Sequence, residues 1–133
     1  MQFRELGASE LDAAYGLLKM VRIDLNPDAF ATFINTHSPH TYRPLGAFEQ
    51  GELTLYAGVS VHENLELGRY LLIDDFVARE GDESIAADMF DFLGDYAKMH
   101  QCRAVVLWGS HRGIKLKDLA GFRPKRDGFI KLL

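Results

Sequence analysis

The 133-residue chain has a single cysteine, Cys102, which excludes an intrachain disulfide and a multi-cysteine zinc site. It has no basic excess either. Its 15 Lys+Arg stand against 19 Asp+Glu, and a net charge of −4 offers no general attraction for nucleic acid or an anionic membrane. No apolar run approaches the roughly 18 residues of a membrane span. The opening Met1-Gln-Phe-Arg-Glu-Leu lacks the charged-then-apolar layout of a signal peptide. Repeats, linkers and low-complexity stretches are missing too. What is present is ordinary globular composition, 47% apolar and 26% charged. The expectation is one cytoplasmic domain over residues 1–133, long enough to bury roughly two-thirds of the surface its unfolded chain exposes.

Periodicity divides the chain into elements. Phe3 opens a short strand-like stretch. Ser9 then precedes a helical run with Leu11, Ala14, Leu18 and Val21 at 3.6-residue spacing. Asn26-Pro27-Asp28 reads as an N-cap, a first-position proline and a first-turn acid. The helix it starts should bury Phe30, Phe33 and Ile34 and end before Pro39. Residues 45–48 and 53–61 flank a hairpin turn at 49–52. Leu53, Leu55, Ala57, Val59 and Val61 alternate with Thr54, Tyr56, Gly58 and Ser60, which predicts one core face and one more polar face. Residues 70–73 are continuously apolar, as an interior strand is, and run into Asp74-Asp75-Phe76-Val77. A long helix from Ser84, a strand over 104–108, a short helix over 115–120 with Leu116 and Leu119 inward, and a last strand over 129–133 complete the chain. The order β-α-α-β-β-β-α-β-α-β predicts an α+β fold with a mixed sheet, strands 70–77 and 104–108 joined by a parallel crossover.

Several short stretches in this order carry a likeness: Leu45-Gly46-Ala47-Phe48-Glu49-Gln50-Gly51-Glu52-Leu53, Ala57-Gly58, Glu63-Asn64-Leu65 with Gly68-Arg69, Asp74-Asp75-Phe76-Val77, and Gly121-Phe122. Together they resemble the GNAT (GCN5-related N-acetyltransferase) family over nearly the whole chain. The resemblance implies a central mixed, mostly antiparallel sheet with helices on both faces. It also implies acetyl-CoA bound where two parallel strands splay. Phe76 and Val77 would then pair their backbone with the pantetheine arm. The turn Gly81-Asp82-Glu83-Ser84-Ile85-Ala86 would meet the pyrophosphate through backbone N–H groups and the helix dipole. Of that family's basic-x-x-glycine-x-glycine/alanine loop only Ala86 is kept; Gly81 stands at the basic position and Ser84 at the middle glycine. Asp82 and Glu83 would repel a pyrophosphate, while the same acids and Ser84 are good helix starters.

Catalysis in such enzymes needs a base for the acceptor ammonium, and Asp74 or Asp75 occupies its position. The tyrosine acid that precedes the Gly-Phe pair by four residues is Lys117 here. Two functional readings follow. The first is an acyl-CoA-dependent N-acetyltransferase acting on a primary amine of a small molecule or protein. The alternative is a catalytically impaired module of the same fold with weak or no CoA binding and a regulatory or partner-binding role, a homodimer being one form it would take.

The remaining signals are weaker. His37 and His40 lack a third ligand nearby, so no metal site is expected. Ser110 beside His111 evokes a nucleophile and base, without an orienting acid. Trp108 ends a parallel strand, where ligands gather. Residues 112–131 hold seven Lys/Arg and two acids, enough for the 3′-phosphate of CoA or simply a solvated basic face. Residues 74–83 hold five acids and one arginine, a local excess equal to the whole net charge of −4.

Overall fold

Gln50 and Gly51 both adopt left-handed φ, 52° and 81°, as a two-residue hairpin turn requires. In the computed structural model, which describes residues 1–22, 24–108, 113–125 and 128–133, that turn joins β2 (Arg43–Glu49) to β3 (Glu52–Asn64). The other strands are β1 (Gln2–Glu5), β4 (Gly68–Ala78), β5 (Ala104–Trp108), β6 (Arg123–Lys125) and β7 (Gly128–Leu132). The described residues form one seven-stranded sheet in the order β1-β2-β3-β4-β5-β7-β6. Its neighbours are antiparallel except for β4 and β5, which run parallel across the helical crossover.

Helix α1 spans Leu11–Leu18, α2 Pro27–His37 and α3 Ala86–Met99. Asn26 caps α2 as expected, its side chain accepting from the Ala29 N–H at 2.8 Å. Ser9 does not cap α1. It lies in a 3-10 turn, Ala8–Glu10, and Glu10 reaches back to the Gly7 N–H at 2.8 Å while Arg4 grips its carboxylate at 2.6 and 2.7 Å.

Helix α3 covers one face of the sheet and α1 with α2 the other, the arrangement expected from the family resemblance. Leu55, Ala57, Val59, Leu71, Ile73 and Phe76 meet α3; Tyr56, Phe48, Leu53 and Val77 meet α1 and α2. Leu71 and Ile73 are fully buried, worth about 1.5–3 kcal/mol each. Two expectations are corrected here. The supposedly polar face of β3 is buried: Tyr56 is covered by the helical pair and bonded to Tyr42, and the buried Thr54 donates to the Ala47 carbonyl. Phe33 is 42% exposed rather than buried.

The C-terminal part differs more. The predicted helix over 115–120 is a 3-10 turn, Leu116–Leu119, whose Asp118 holds the Lys115 N–H at 2.9 Å. The side chain of Leu116 lies outside the described residues. β6 has no counterpart in the sequence reading, because three residues centred on Pro124 carry no alternation and proline is tolerated only at such an edge.

Candidate active site

Asp74 owes its position to strand register. Gly58 of β3 pairs with Asp75 and Val59 pairs with Ile73, so Asp74 is an extra residue in β4. A bulge of this kind bends the strand and breaks the alternation of faces. Leu71 and Ile73 before it and Phe76 and Ala78 after it all point to α3, which leaves Asp74 and Asp75 together on the opposite face. Pairing with β5 also ends here: it covers Tyr70 to Ile73 against Ala104 to Leu107, and β4 continues to Ala78 on β3 alone among the described residues. The two parallel strands thus part where the two carboxylates stand.

Both carboxylates line a cavity of about 520 Å³ whose other walls are Leu18, Leu25, Phe30 and Phe33 from the α1–α2 layer. Their surroundings set them apart. Asp75 is neutralised, with Arg22 Nη2 and Nε on Oδ1 at 2.6 and 2.9 Å and the Tyr42 hydroxyl on Oδ2 at 2.8 Å. Because Tyr42 spends its proton there, Tyr56 donates to Tyr42 across 2.7 Å. Burial pushes both tyrosine hydroxyls well above their ordinary range, so each stays protonated. Asp74 is half-buried and receives only the Ser60 hydroxyl, at 2.7 Å on Oδ2, with no ion pair among the described residues. Burial raises its carboxyl above the usual value, and the negative Asp75 adds to that against the lowering by Ser60. Ser60 in turn lies 2.8 Å from His62 Nε2, and the exposed His62 ring stacks on Tyr70 with centroids 5.7 Å apart.

The residues expected at the cofactor do not line this cavity. Phe76 is buried under α3, stacked on Phe90 at 4.6 Å, and Val77 is buried beneath α1 and α2. Gly81 turns the chain at φ 92°, Ser84 is exposed, Ile85 packs against the core from a 3-10 turn (Glu83–Ile85), and the buried Ala86 starts α3. The expected capping does not occur. The Asp82 carboxylate accepts no capping N–H and instead accepts from Arg79 Nε at 2.6 Å. The Glu83 carboxylate folds back onto the Gly81 N–H at 2.9 and 3.1 Å. Its own N–H and that of Gly81 hold the Glu83 carboxyl below the ordinary value. Three of the five acids over 74–83 are therefore compensated, with Arg22 on Asp75, Arg79 on Asp82 and backbone on Glu83.

Sequence reasoning found the two aspartates and missed Arg22, Tyr42, Ser60 and His62. Only Ser60 and His62 left a trace: two residues apart on a strand, they share a face. Trp108, 47% exposed, borders a second cavity of about 320 Å³ with Tyr70, Leu72 and Val106. His37 faces the first cavity and His40 does not; no metal-holding group of three His, Cys, Asp or Glu occurs among the described residues. Lys117 is exposed on the last 3-10 turn. The Ser110–His111 pair lies outside the described residues, as do Arg112, Arg126 and Asp127 of the basic stretch.

No protein-family model and no curated protein matches the chain in sequence. Solved structures match it in fold. AAC(6′)-Iy in complex with the bisubstrate analogue CoA-S-monomethyl-acetylneamine superposes with a TM-score of 0.69 at 14% identity, over 82% of this chain and 79% of its own. A ribosomal-protein-alanine N-acetyltransferase from Brucella melitensis biovar Abortus 2308 gives 0.67 at 19% identity, over 83% and 81%. A probable acetyltransferase from Staphylococcus epidermidis ATCC 12228 gives 0.64 at 19% identity, over 80% and 71%. The chain has the GNAT acetyltransferase fold that its ordered motifs led us to expect.

Proposed function

We propose that this chain is an N-acetyltransferase that moves an acetyl group from acetyl-CoA to a primary amine held in the cavity beneath α1 and α2. The observation that carries the reading is Asp74. It is a half-buried carboxylate with no ion-pair partner among the described residues, raised toward neutrality, at the point where β4 and β5 separate. An ammonium group suits a cavity with that acid in its wall, and Phe30 and Phe33 suit an apolar arm beside it. Asp74 takes the proton from the ammonium nitrogen. The free amine then attacks the acyl carbon, forming the C–N bond as the C–S bond breaks, and the second proton lost from the nitrogen ends on the departing thiolate. Acetyl-CoA supplies the activated acyl carbon and a thiolate leaving group. Asp75, saturated by Arg22 and Tyr42, holds the chain after α1 against β4 and serves no proton transfer. The likeness to acetyltransferases, one of them complexed with a CoA-linked analogue, supports the same reading.

Fit to the donor is good along β4 and poor at the turn. The edge of Asp74–Ala78 toward β5 carries no strand among the described residues, which suits the amide groups of a pantetheine arm. At the turn before α3, the Gly81 N–H that a pyrophosphate would use already binds Glu83. That contact favours a second reading, a GNAT-fold partner-binding module without CoA. Calorimetric titration with acetyl-CoA at low salt, followed by thiol release with a panel of primary amines, tests the two. Binding and amine-dependent thiol release, lost in Asp74→Asn, are expected. No heat at millimolar acetyl-CoA would overturn the enzyme reading and leave the second.

A further inference from the structure

We infer that Ser60 and His62 form the outlet through which Asp74 returns its proton to water. The inference rests on the base role proposed above. Any base that takes a proton on every cycle must lose it before the next. Asp74 is poorly placed to do so directly: it is half-buried under the α1–α2 layer, and its neighbour Asp75 is locked to Arg22 and Tyr42. A side-chain route leads along β3 instead. Asp74 Oδ2 lies 2.7 Å from Ser60 Oγ, Ser60 Oγ lies 2.8 Å from His62 Nε2, and Ser60 is buried whereas His62 is exposed. Three groups that each give and accept a proton thus run in series along the cavity wall, from half-buried Asp74 to exposed His62. Alternation on β3 aligns the two outer ones, since residues two apart face the same way. The stacked Tyr70 ring keeps the imidazole from turning away.

The transfer balances without a co-reactant. Protonated Asp74 donates its O–H to Ser60 Oγ while the proton of Ser60 passes to the lone pair on Nε2 of the Nδ1–H form of His62. The imidazolium so formed releases its Nδ1 proton to water. Asp74 is again ionised, Ser60 again donates to it, and His62 is left with a proton on Nε2. Exchange of ring protons with water restores the Nδ1–H form. The charged and titratable groups facing Asp74 are Asp75 on its own strand, His62 on β3, Arg22 after α1, and across the cavity His37 and Tyr42. Of these, only His62 is linked to Asp74 through a hydroxyl.

Ser60 and His62 act through Asp74 and are positioning residues, so the test needs readouts that mere structural support would not move. His62→Phe keeps a ring on Tyr70 and Ser60→Ala removes one oxygen. Each should lower kcat with a good amine by about tenfold or more while KM stays within about twofold. Ser60→Thr should restore most of the rate. Added imidazole should rescue His62→Ala in proportion to its concentration. Wild-type kcat in both His62→Phe and Ser60→Ala, or a loss confined to KM, would overturn the outlet while the loss in Asp74→Asn still upheld the base. Wild-type protein that transfers no acetyl group to any amine would overturn both, and absence of imidazole rescue would overturn the role of His62.

Discussion

Gly58→Ala should reveal how the site is braced. Gly58 has no left-handed torsion to protect, so its constraint is steric. A Cβ built there falls onto the hydroxyl and Cζ of Tyr42 and lies 2.8 Å from its Cε2, closer than real Cβ contacts allow. Tyr42 is buried, set edge-on to Phe33 at 4.9 Å, and donates to Asp75 while accepting from Tyr56. Moving the ring forfeits a charge-assisted bond of about 1.5–3 kcal/mol and a neutral one of about 0.5–1.5 kcal/mol. Crowding a packed region adds about 1–3 kcal/mol. Some of this overlaps, and we expect a net loss of about 3–5 kcal/mol, a large share of a domain's stability. The melting temperature should then fall by roughly 10–20 °C for a chain of this length. Urea unfolding of a double-mutant cycle is the assay. Tyr42→Ala alone should cost about 3–5 kcal/mol, and Gly58→Ala added to it less than about 1 kcal/mol, because the clash is gone. Tyr42→Phe should not relieve Gly58→Ala, since the ring remains. Strict additivity of Gly58→Ala with Tyr42→Ala would refute the steric argument.

Other outcomes follow from the same contacts. Asp74 has a carboxyl raised above its unfolded value, so its contribution to stability is full below about pH 4 and is lost as pH rises through the raised native value. Asp74→Asn should therefore be more stable than wild type at pH 7, with the gap closing near pH 4 in urea titrations. Glu10 shows the opposite sign: Arg4, then the Gly7 N–H, draw its carboxyl down to about 2. Its contribution is present above about pH 4.3 and fades as pH falls toward 2, so acid-unfolding curves of wild type and Glu10→Gln should converge there. Glu83→Ala frees the Gly81 N–H and should tighten acetyl-CoA several-fold by calorimetry; an unchanged affinity would show that this carboxylate does not compete. Asn26→Ala removes the α2 cap and should cost about 1 kcal/mol in thermal unfolding.

The order of elements was legible because hydrophobic periodicity is local: residues 53–61 alternate and residues 84–96 repeat at helical spacing, whatever lies around them. The turn at Gln50-Gly51 and the cap at Asn26 were legible for the same reason. Asp74 and Asp75 stood out by following the apolar run 70–73 in a known order of motifs. Their difference did not. Arg22 lies 53 positions before Asp75, Tyr42 comes from the connection before β2 and Ser60 from β3, so no spacing in the chain links them. The bulge that turns both acids to one face depends on the register of β4 against β3, a property of two strands rather than of either.

Composition and patterning by themselves determined a chain without an intrachain disulfide, its α+β class, the parallel crossover and the two adjacent acids within an interior strand. Tertiary structure alone decided which acid is neutralised and which keeps a raised carboxyl, because charge and desolvation act through space. It also decided that the acidic run over 74–83 carries its own counter-groups. Guanidinium groups and backbone N–H groups reach Asp75, Asp82 and Glu83 only once the chain is folded.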